Sequence, residues 1–357
     1  MTTTPAQAAV IPVNPVTHRF AELAATVRDT GLLRRAYGFY AGYGAALALA
    51  LGGVITGFVL LGHSWFQLLM AATLGIVLTQ VAFLGHEASH RTVFTSGPAN
   101  DRLGRILSTA VVGISHQWWM TKHSRHHANP NKQGADPDIE KDTISFVEED
   151  ARESRGLIRW ITRRQGWLFF PLLTLEGLNL HYRSVRSLVT GGTRAQRWVE
   201  LPLIGLHFAV YLGAVFWVLP LGMAFAFVGV QMAVFGVYMG ASFAPNHKGM
   251  GIVPADVRMD FLSKQVLTSR NVHGGWAMSI LTGGLNFQIE HHLFPNMARP
   301  HLGRAREIVR EYCELHHVPY TETSLVESYA IVIAYLNRVG LAARDPFDCP
   351  ERVAMGR

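Results

Sequence analysis

WFQLLMAATLGIVLTQVAFLG, residues 65–85, runs without a break into HEASH, residues 86–90. The first part is 21 residues without a charge, about 32 Å of helix at 1.5 Å per residue and enough to cross a hydrocarbon core. The second part sets His86 and His90 at i and i+4, on one face of the same helix if it continues. A membrane span that ends in a pair of potential metal ligands decides the fold class, while the chemistry depends on what the rest of the chain adds.

Upstream, residues 41–62 form another uncharged run of 22 residues, and the break at His63-Ser64 makes the two runs a hairpin. A second pair covers residues 201–219 and 221–244, joined at Pro220 as a turn residue. The run 103–114 has only 12 residues with Arg102 and Arg105 at its start, which suits an interfacial or re-entrant helix rather than a span. The expectation is an all-α integral membrane protein with four transmembrane helices in two hairpins. A helical cap from residues 86–200 and 245–302 then lies on one side and holds a di-metal site, so the main domain covers 41–302. Residues 1–40 read as a lead-in and 303–357 as a helical C-terminal region, with Leu302, Ile308, Val309 and Tyr312 giving residues 299–317 a helical period.

Charge sets the side. Arg34 and Arg35 precede the first span, and Arg152, Arg155, Arg159, Arg163, Arg164, Arg183, Arg186, Arg194 and Arg197 crowd the long loop, so both termini and the histidine clusters are expected to be cytoplasmic. The net charge of +7 has the same origin, and with no nucleic-acid module beside it, nucleic acid is not an expected partner. Only 16% of the chain is charged, well below the quarter usual in soluble domains. Two cysteines, Cys313 and Cys349, exclude a disulfide framework, a four-cysteine zinc site and a self-contained iron–sulfur cluster. Gly53 with Gly57 and Gly236 with Gly240 would let helices pack closely in lipid. Trp118, Trp119, Trp160, Trp167, Trp198 and Trp276 fall where an interfacial belt would put them.

Two further histidine clusters follow the first. His123-Ser124-Arg125-His126-His127 stacks three imidazoles on one helical face, and Gln288-Ile289-Glu290-His291-His292 adds a pair. HEASH alone also matches the zinc-protease pattern, but such a site needs three protein ligands and an open position. Seven histidines on one side of the bilayer suit two metals of about four ligands each, with His247 or Asn246, just past the fourth run, able to complete the set. Imidazole binds iron, copper, zinc or nickel, and spacing does not choose among them. Glu87 and Glu290 read as partners that orient the ligating imidazoles. A histidine-rich metal transporter would need polar groups inside the spans, where His207 stands nearly alone.

Together the three boxes resemble the membrane fatty-acid desaturase family. Gln288, standing where a first histidine would be, makes the third box similar to the front-end, linoleoyl-CoA desaturase-like branch. Trp118-Trp119, Asp136-Pro137-Asp138-Ile139 and residues 281–287 (LTGGLNF) agree with it. The resemblance implies a four-span protein with two iron ions, O2 as co-substrate and an acyl tunnel beneath the metals. By position it implies His86, His90, His123, His126, His127, His247, His291 and His292 as ligands, with Asn246 and Gln288 beside them. It also implies a cis double bond placed in a long acyl chain, carried as acyl-CoA or acyl-lipid. No haem domain is expected before the first span, so a separate ferredoxin or small haem protein with its reductase is the expected electron donor, attracted if acidic by the basic loop 152–197. An acyl or lipid hydroxylase or ketolase on the same scaffold is the nearest alternative, and an intramembrane zinc protease a remote one.

Overall fold

The computed structural model describes residues 20–343, so the first part of the lead-in, the end of the C-terminal region and Cys349 lie outside the described residues. Four helices are long and apolar enough to cross a membrane: Tyr37–Leu61, Gln67–Ser89, Arg194–Val218 and Leu221–His247, numbered spans one to four in chain order. Spans two and four form the inner pair, with 50% and 39% of their apolar windows buried against 11% for the outer two.

Each helix outruns its apolar stretch in a way that serves the site. Span two continues through His86-Glu87-Ala88-Ser89 before it stops at His90. Span four runs through Pro245 to Asn246 and His247, because the first amides past its last apolar residue still find partners inside the helix. Span three begins well before residue 201, where Thr193 and Gln196 form a capping box with Thr193 N donating to Gln196 Oε1 at 2.8 Å.

The run at 103–114 does not cross. Helix Gly97–Arg105 continues as a π-helical turn, Ile106–Val111, packed against spans two and three. The glycine pairs divide. A Cβ at Gly57 would come within 2.4 Å of Met70 Sδ in span two, but one at Gly236 would lie 2.4 Å from the Leu173 carbonyl oxygen and one at Gly240 the same distance from Leu173 Cδ2. The small face of span four therefore receives a helix of the cap, Gln165–Leu173, rather than another span.

The remaining helices gather around one end of the spans. His116–Ala128 carries the second histidine cluster and Gln288–Leu293 the third. Arg299–Leu315 buries Leu302, Val309 and Tyr312, as its period predicts, against Leu23 and Val27 of helix Phe20–Asp29. Besides helices there is, among the described residues, one strand pair, Asn271–Val272 parallel to Glu322–Thr323.

Four of the tryptophans expected at the interface are exposed: Trp160, Trp167, Trp198 and Trp276. Trp118 and Trp119 are half-buried. Trp118 packs onto the apolar cluster of Val81, Phe83, Leu285 and Met239, and the Trp119 ring stacks on His123 at 4.8 Å, because helix His116–Ala128 turns that face toward the metal-binding side chains.

Candidate metal centre

All three boxes converge at the C-terminal ends of spans two and four. His86, His90, His123, His127 and His291 form one group of potential ligands and His126, His247 and His292 a second, with the donor atoms in each group within 4.8 Å of one another. The segments they come from are far apart in sequence, and the helical spacings bring them together. His86 and His90 share a face of span two, His123, His126 and His127 share a face of the next long helix, and His247 drops in from the end of span four.

Local backbone explains the third box. Gly283 and Gly284 have φ of +63° and +88°, a region L side chains avoid, and a Cβ at Gly283 would sit 2.4 Å from the Phe83 ring. That turn leads through a single 3-10 turn, Leu285–Phe287, and aims the next helix so that His291 and His292 point inward.

The smaller group is fixed from outside at every ring. His126 Nδ1 lies 3.0 Å from both Asp136 carboxylate oxygens, His247 Nδ1 is 2.9 Å from the Thr268 carbonyl oxygen, and His292 Nδ1 is 2.8 Å from Gln265 Oε1. Each Nδ1–H thus donates to an oxygen, which leaves each Nε2 lone pair facing inward, and His126 Nε2 and His247 Nε2 stand 3.3 Å apart. This is the arrangement by which outer oxygens set the tautomer and basicity of metal-bound imidazoles.

In the larger group His123 Nε2 lies 2.9 Å from His86 Nε2 and 2.8 Å from His90 Nε2. Buried ring nitrogens of His86, His127, His291 and His292 have no hydrogen-bond partner. Buried polar atoms are seldom left so, and inward-pointing lone pairs on neutral rings are relieved by a cation. Five of the rings are held neutral: burial pushes His90 down to about 3 and holds His123, His127, His291 and His292 well below the usual imidazole range. A neutral imidazole is the form that binds a metal. The donor set therefore fits two adjacent metal ions, one beside five histidines and one beside three.

Gln288 reaches the smaller group, its side-chain amide nitrogen 2.9 Å from His247 Nε2 and its Oε1 without a partner. Which end of that amide faces the ring is fixed by hydrogen-bond logic, and turning it would offer the oxygen to a metal. Asn246 donates from Nδ2 to the Ser242 carbonyl at 3.2 Å while its Oδ1 has no partner.

Glu87 and Glu290 do not orient imidazoles. Glu87 is buried against Arg299, which donates from Nε at 2.6 Å and also from Nη2. Glu290 accepts from Asn271 Nδ2 at 2.7 Å and from the Tyr320 hydroxyl at 2.8 Å, and burial lifts its carboxyl to about 7 against those bonds. On a helix each glutamate points away from the neighbouring histidine, so the groups that hold the rings come from elsewhere: Asp136, Gln265 and the Thr268 carbonyl. Asp136 carried a signal, the Asp-Pro-Asp turn ten residues after His126. Gln265 and Thr268 carried none, since their place depends on how helix Phe261–Leu267 packs. Asn271 also accepts from the Ile289 amide at 2.9 Å, capping the third-box helix from a distant strand. His207 belongs to neither histidine group and lies against the Gly113 turn.

Comparison with known proteins agrees with this geometry. The profile of the fatty acid desaturase family matches residues 63–324. The chain is similar to Delta(8)-fatty-acid desaturase 2 of Arabidopsis thaliana, 28% identical over 360 residues that cover 93% of this chain and 77% of the relative. It is similar to the Delta(8)-fatty-acid desaturase of Helianthus annuus, 27% identical over 84% of this chain and 68% of the relative. It also resembles the Acyl-lipid 8-desaturase of Rebecca salina, 30% identical over 69% of this chain and 57% of that protein. A membrane-embedded helical chain with its histidines gathered for metal, matched over most of its length, belongs to the fatty acid desaturase family.

Proposed function

We propose that this chain is an oxygen-dependent fatty-acyl desaturase that places a cis double bond in a long acyl chain with two iron ions held by the two histidine groups. The observation that carries the reading is the outer anchoring of His126, His247 and His292, each by a different oxygen, with all three Nε2 atoms turned to one point. Iron, rather than another imidazole-binding metal, follows from the family resemblance. When bound, it supplies the redox chemistry with O2 that removal of hydrogen from an unactivated methylene requires, since side chains alone offer no such oxidant.

The chain's own residues bind, orient and exclude water. Histidine nitrogens at the proposed ligand positions are His86, His90, His123, His127 and His291 for one iron and His126, His247 and His292 for the other, with Gln288 and Asn246 alongside the second. Asp136 keeps His126 in its ligating tautomer, and is itself held by the Asn131 amide at 2.7 Å and the Asp138 amide at 2.9 Å. Beneath the rings, Trp119, Phe243, Phe83 and Leu285 form an apolar floor that keeps water from the reacting methylenes and fixes which carbon approaches.

The arginines of residues 152–197 against two tips without Lys or Arg support a cytoplasmic site. A separate ferredoxin or small haem protein with its reductase supplies the electrons. The test is expression in a host without desaturases, with each donor class, followed by fatty-acid methyl-ester profiling. A new double bond in the acyl pool is the expected result. An oxygenated product would instead make the chain a hydroxylase or ketolase, and an unchanged acyl pool with every donor would refute the proposal.

A further inference from the structure

Span four carries a proline two residues before its end. Pro245 has no N–H to give, so the carbonyl of Ala241, which that position would satisfy in an α-helix, has no donor within the span. The helix nevertheless continues through Asn246 to His247. The missing bond is made from outside: the hydroxyl of Tyr329, in helix Leu325–Leu341, donates to the Ala241 carbonyl at 2.9 Å. Tyr329 is half-buried and its ring lies edge-on to Phe170 at 5.1 Å, so packing aims the hydroxyl at that carbonyl.

The carbonyls beyond the proline are closed in the same manner. That of Pro245 accepts from Ser328 Oγ at 2.8 Å and from Arg270 Nη2, and that of Asn246 from the Arg270 amide at 2.8 Å. Those of His247 and Lys248 accept from Asn131 Nδ2 at 3.0 Å and Arg270 Nη2 at 3.2 Å. Arg270 is 1% exposed, and a buried cation suits the negative end of the helix dipole. Elements remote in the chain thus complete a helix terminus whose own carbonyls lack partners.

What they hold is the His247 ring. Its Nδ1 is fixed by the Thr268 carbonyl, two residues before Arg270, so ring and helix end are tied to one segment. The weak joint between that end and the rest of span four is Pro245, since a proline is where a helix kinks. Tyr329 bridges the joint, and a tilt there would draw the imidazole off its anchor.

We propose that Tyr329 is a positioning residue for the metal of the three-histidine group: its hydroxyl stands in for the amide that Pro245 lacks and keeps the last turn of span four, with His247, aimed at that metal. This rests on the reading of His247 as a ligand and not on the identity of the metal or the substrate.

Chelator titration of the purified full chain in nanodiscs, loaded with cobalt(II) during expression and followed by visible absorption, tests it. The parent is expected to hold two ions. Tyr329→Phe keeps the ring against Phe170 and removes only the hydroxyl. It is expected to weaken one of the two ions about tenfold and to leave the other within about twofold of the parent. His247→Ala, which removes the ligand itself, identifies the ion affected. Pro245→Ala returns an N–H to the Ala241 carbonyl, so adding Tyr329→Phe in that background is expected to cost no more than about twofold. A general loosening of the fold would give no such rescue. Equal weakening of both ions by Tyr329→Phe, weakening of neither, or a loss that persists in full beside Pro245→Ala would overturn the proposal and leave His247 as a ligand. Two ions held at parent affinity by His247→Ala would instead remove His247 from the ligand set, and the proposal with it.

Discussion

The rings of His127 and His292 are stacked, 11° from parallel with centroids 4.1 Å apart, although 164 positions separate them in the chain. His127 belongs to the five-histidine group and His292 to the three-histidine group. Their contact is where the two potential metal positions adjoin, and it makes the groups one centre rather than two unrelated sites.

Replacing His126 or His292 by Ala is expected to abolish turnover and to lower bound iron from about two per chain to about one, since each loses one of only three histidines in its group. Elemental analysis of the purified variants, beside acyl profiling, checks this. Retention of both metals and of activity would remove these histidines from the ligand set.

Asp136→Asn keeps the shape but takes away the charge that accepts the His126 Nδ1 proton. Outer-sphere changes of this kind cost about 10–100-fold in metal affinity or activity. Competition with a chelator measures the loss, and an unchanged affinity would show that the backbone, not Asp136, fixes the ring.

Asn271→Leu removes the acceptor for the Ile289 amide and the Nδ2 donor to buried Glu290 together. Leaving such groups unpaired costs about 1–3 kcal/mol each, so thermal unfolding in detergent should move clearly downward. Tyr320→Phe removes one bond to the same carboxylate and should cost less. Equal effects from the two substitutions would contradict the central place given to Asn271.

Cys313 is fully buried, and burial pushes its thiol up to about 12. Alkylation proceeds through the thiolate. At pH 8 the native chain should therefore leave Cys313 unlabelled, and raising the pH to about 10 should change this little because the folded-state value lies higher still. Denaturation should expose it, which peptide mapping of the labelled chain would detect. Rapid native labelling at Cys313 would mean that helix Arg299–Leu315 opens readily.

Much of this was legible in the sequence because the strongest signals were physical requirements. Four uncharged runs could serve as spans, and i, i+3, i+4 histidines could only gather on one helical face. All eight histidines named from the sequence lie in the two groups. The surrounding sphere was less legible for an equally physical reason. Glu87 and Glu290 are adjacent to histidines in sequence, yet helical geometry sends neighbours to different faces, so they meet Arg299, Asn271 and Tyr320 instead. Gln265 and Thr268 hold rings through packing of a seven-residue helix, which no local pattern announces. Trp118 and Trp119 carried the composition of an interfacial pair but pack on the apolar cluster around Phe83 and on the His123 ring.

The third box enters late in the order of synthesis. His86 and His90 are made more than 190 positions before His291 and His292, and His247 waits for the last span. Until the ribosome has passed residue 292, neither cluster has its full complement of rings, so tight metal capture falls after all four helices have been threaded into the bilayer. Loading is in this sense a final inspection: a chain stalled or misinserted before that point has no complete cage in which to hold a reactive ion.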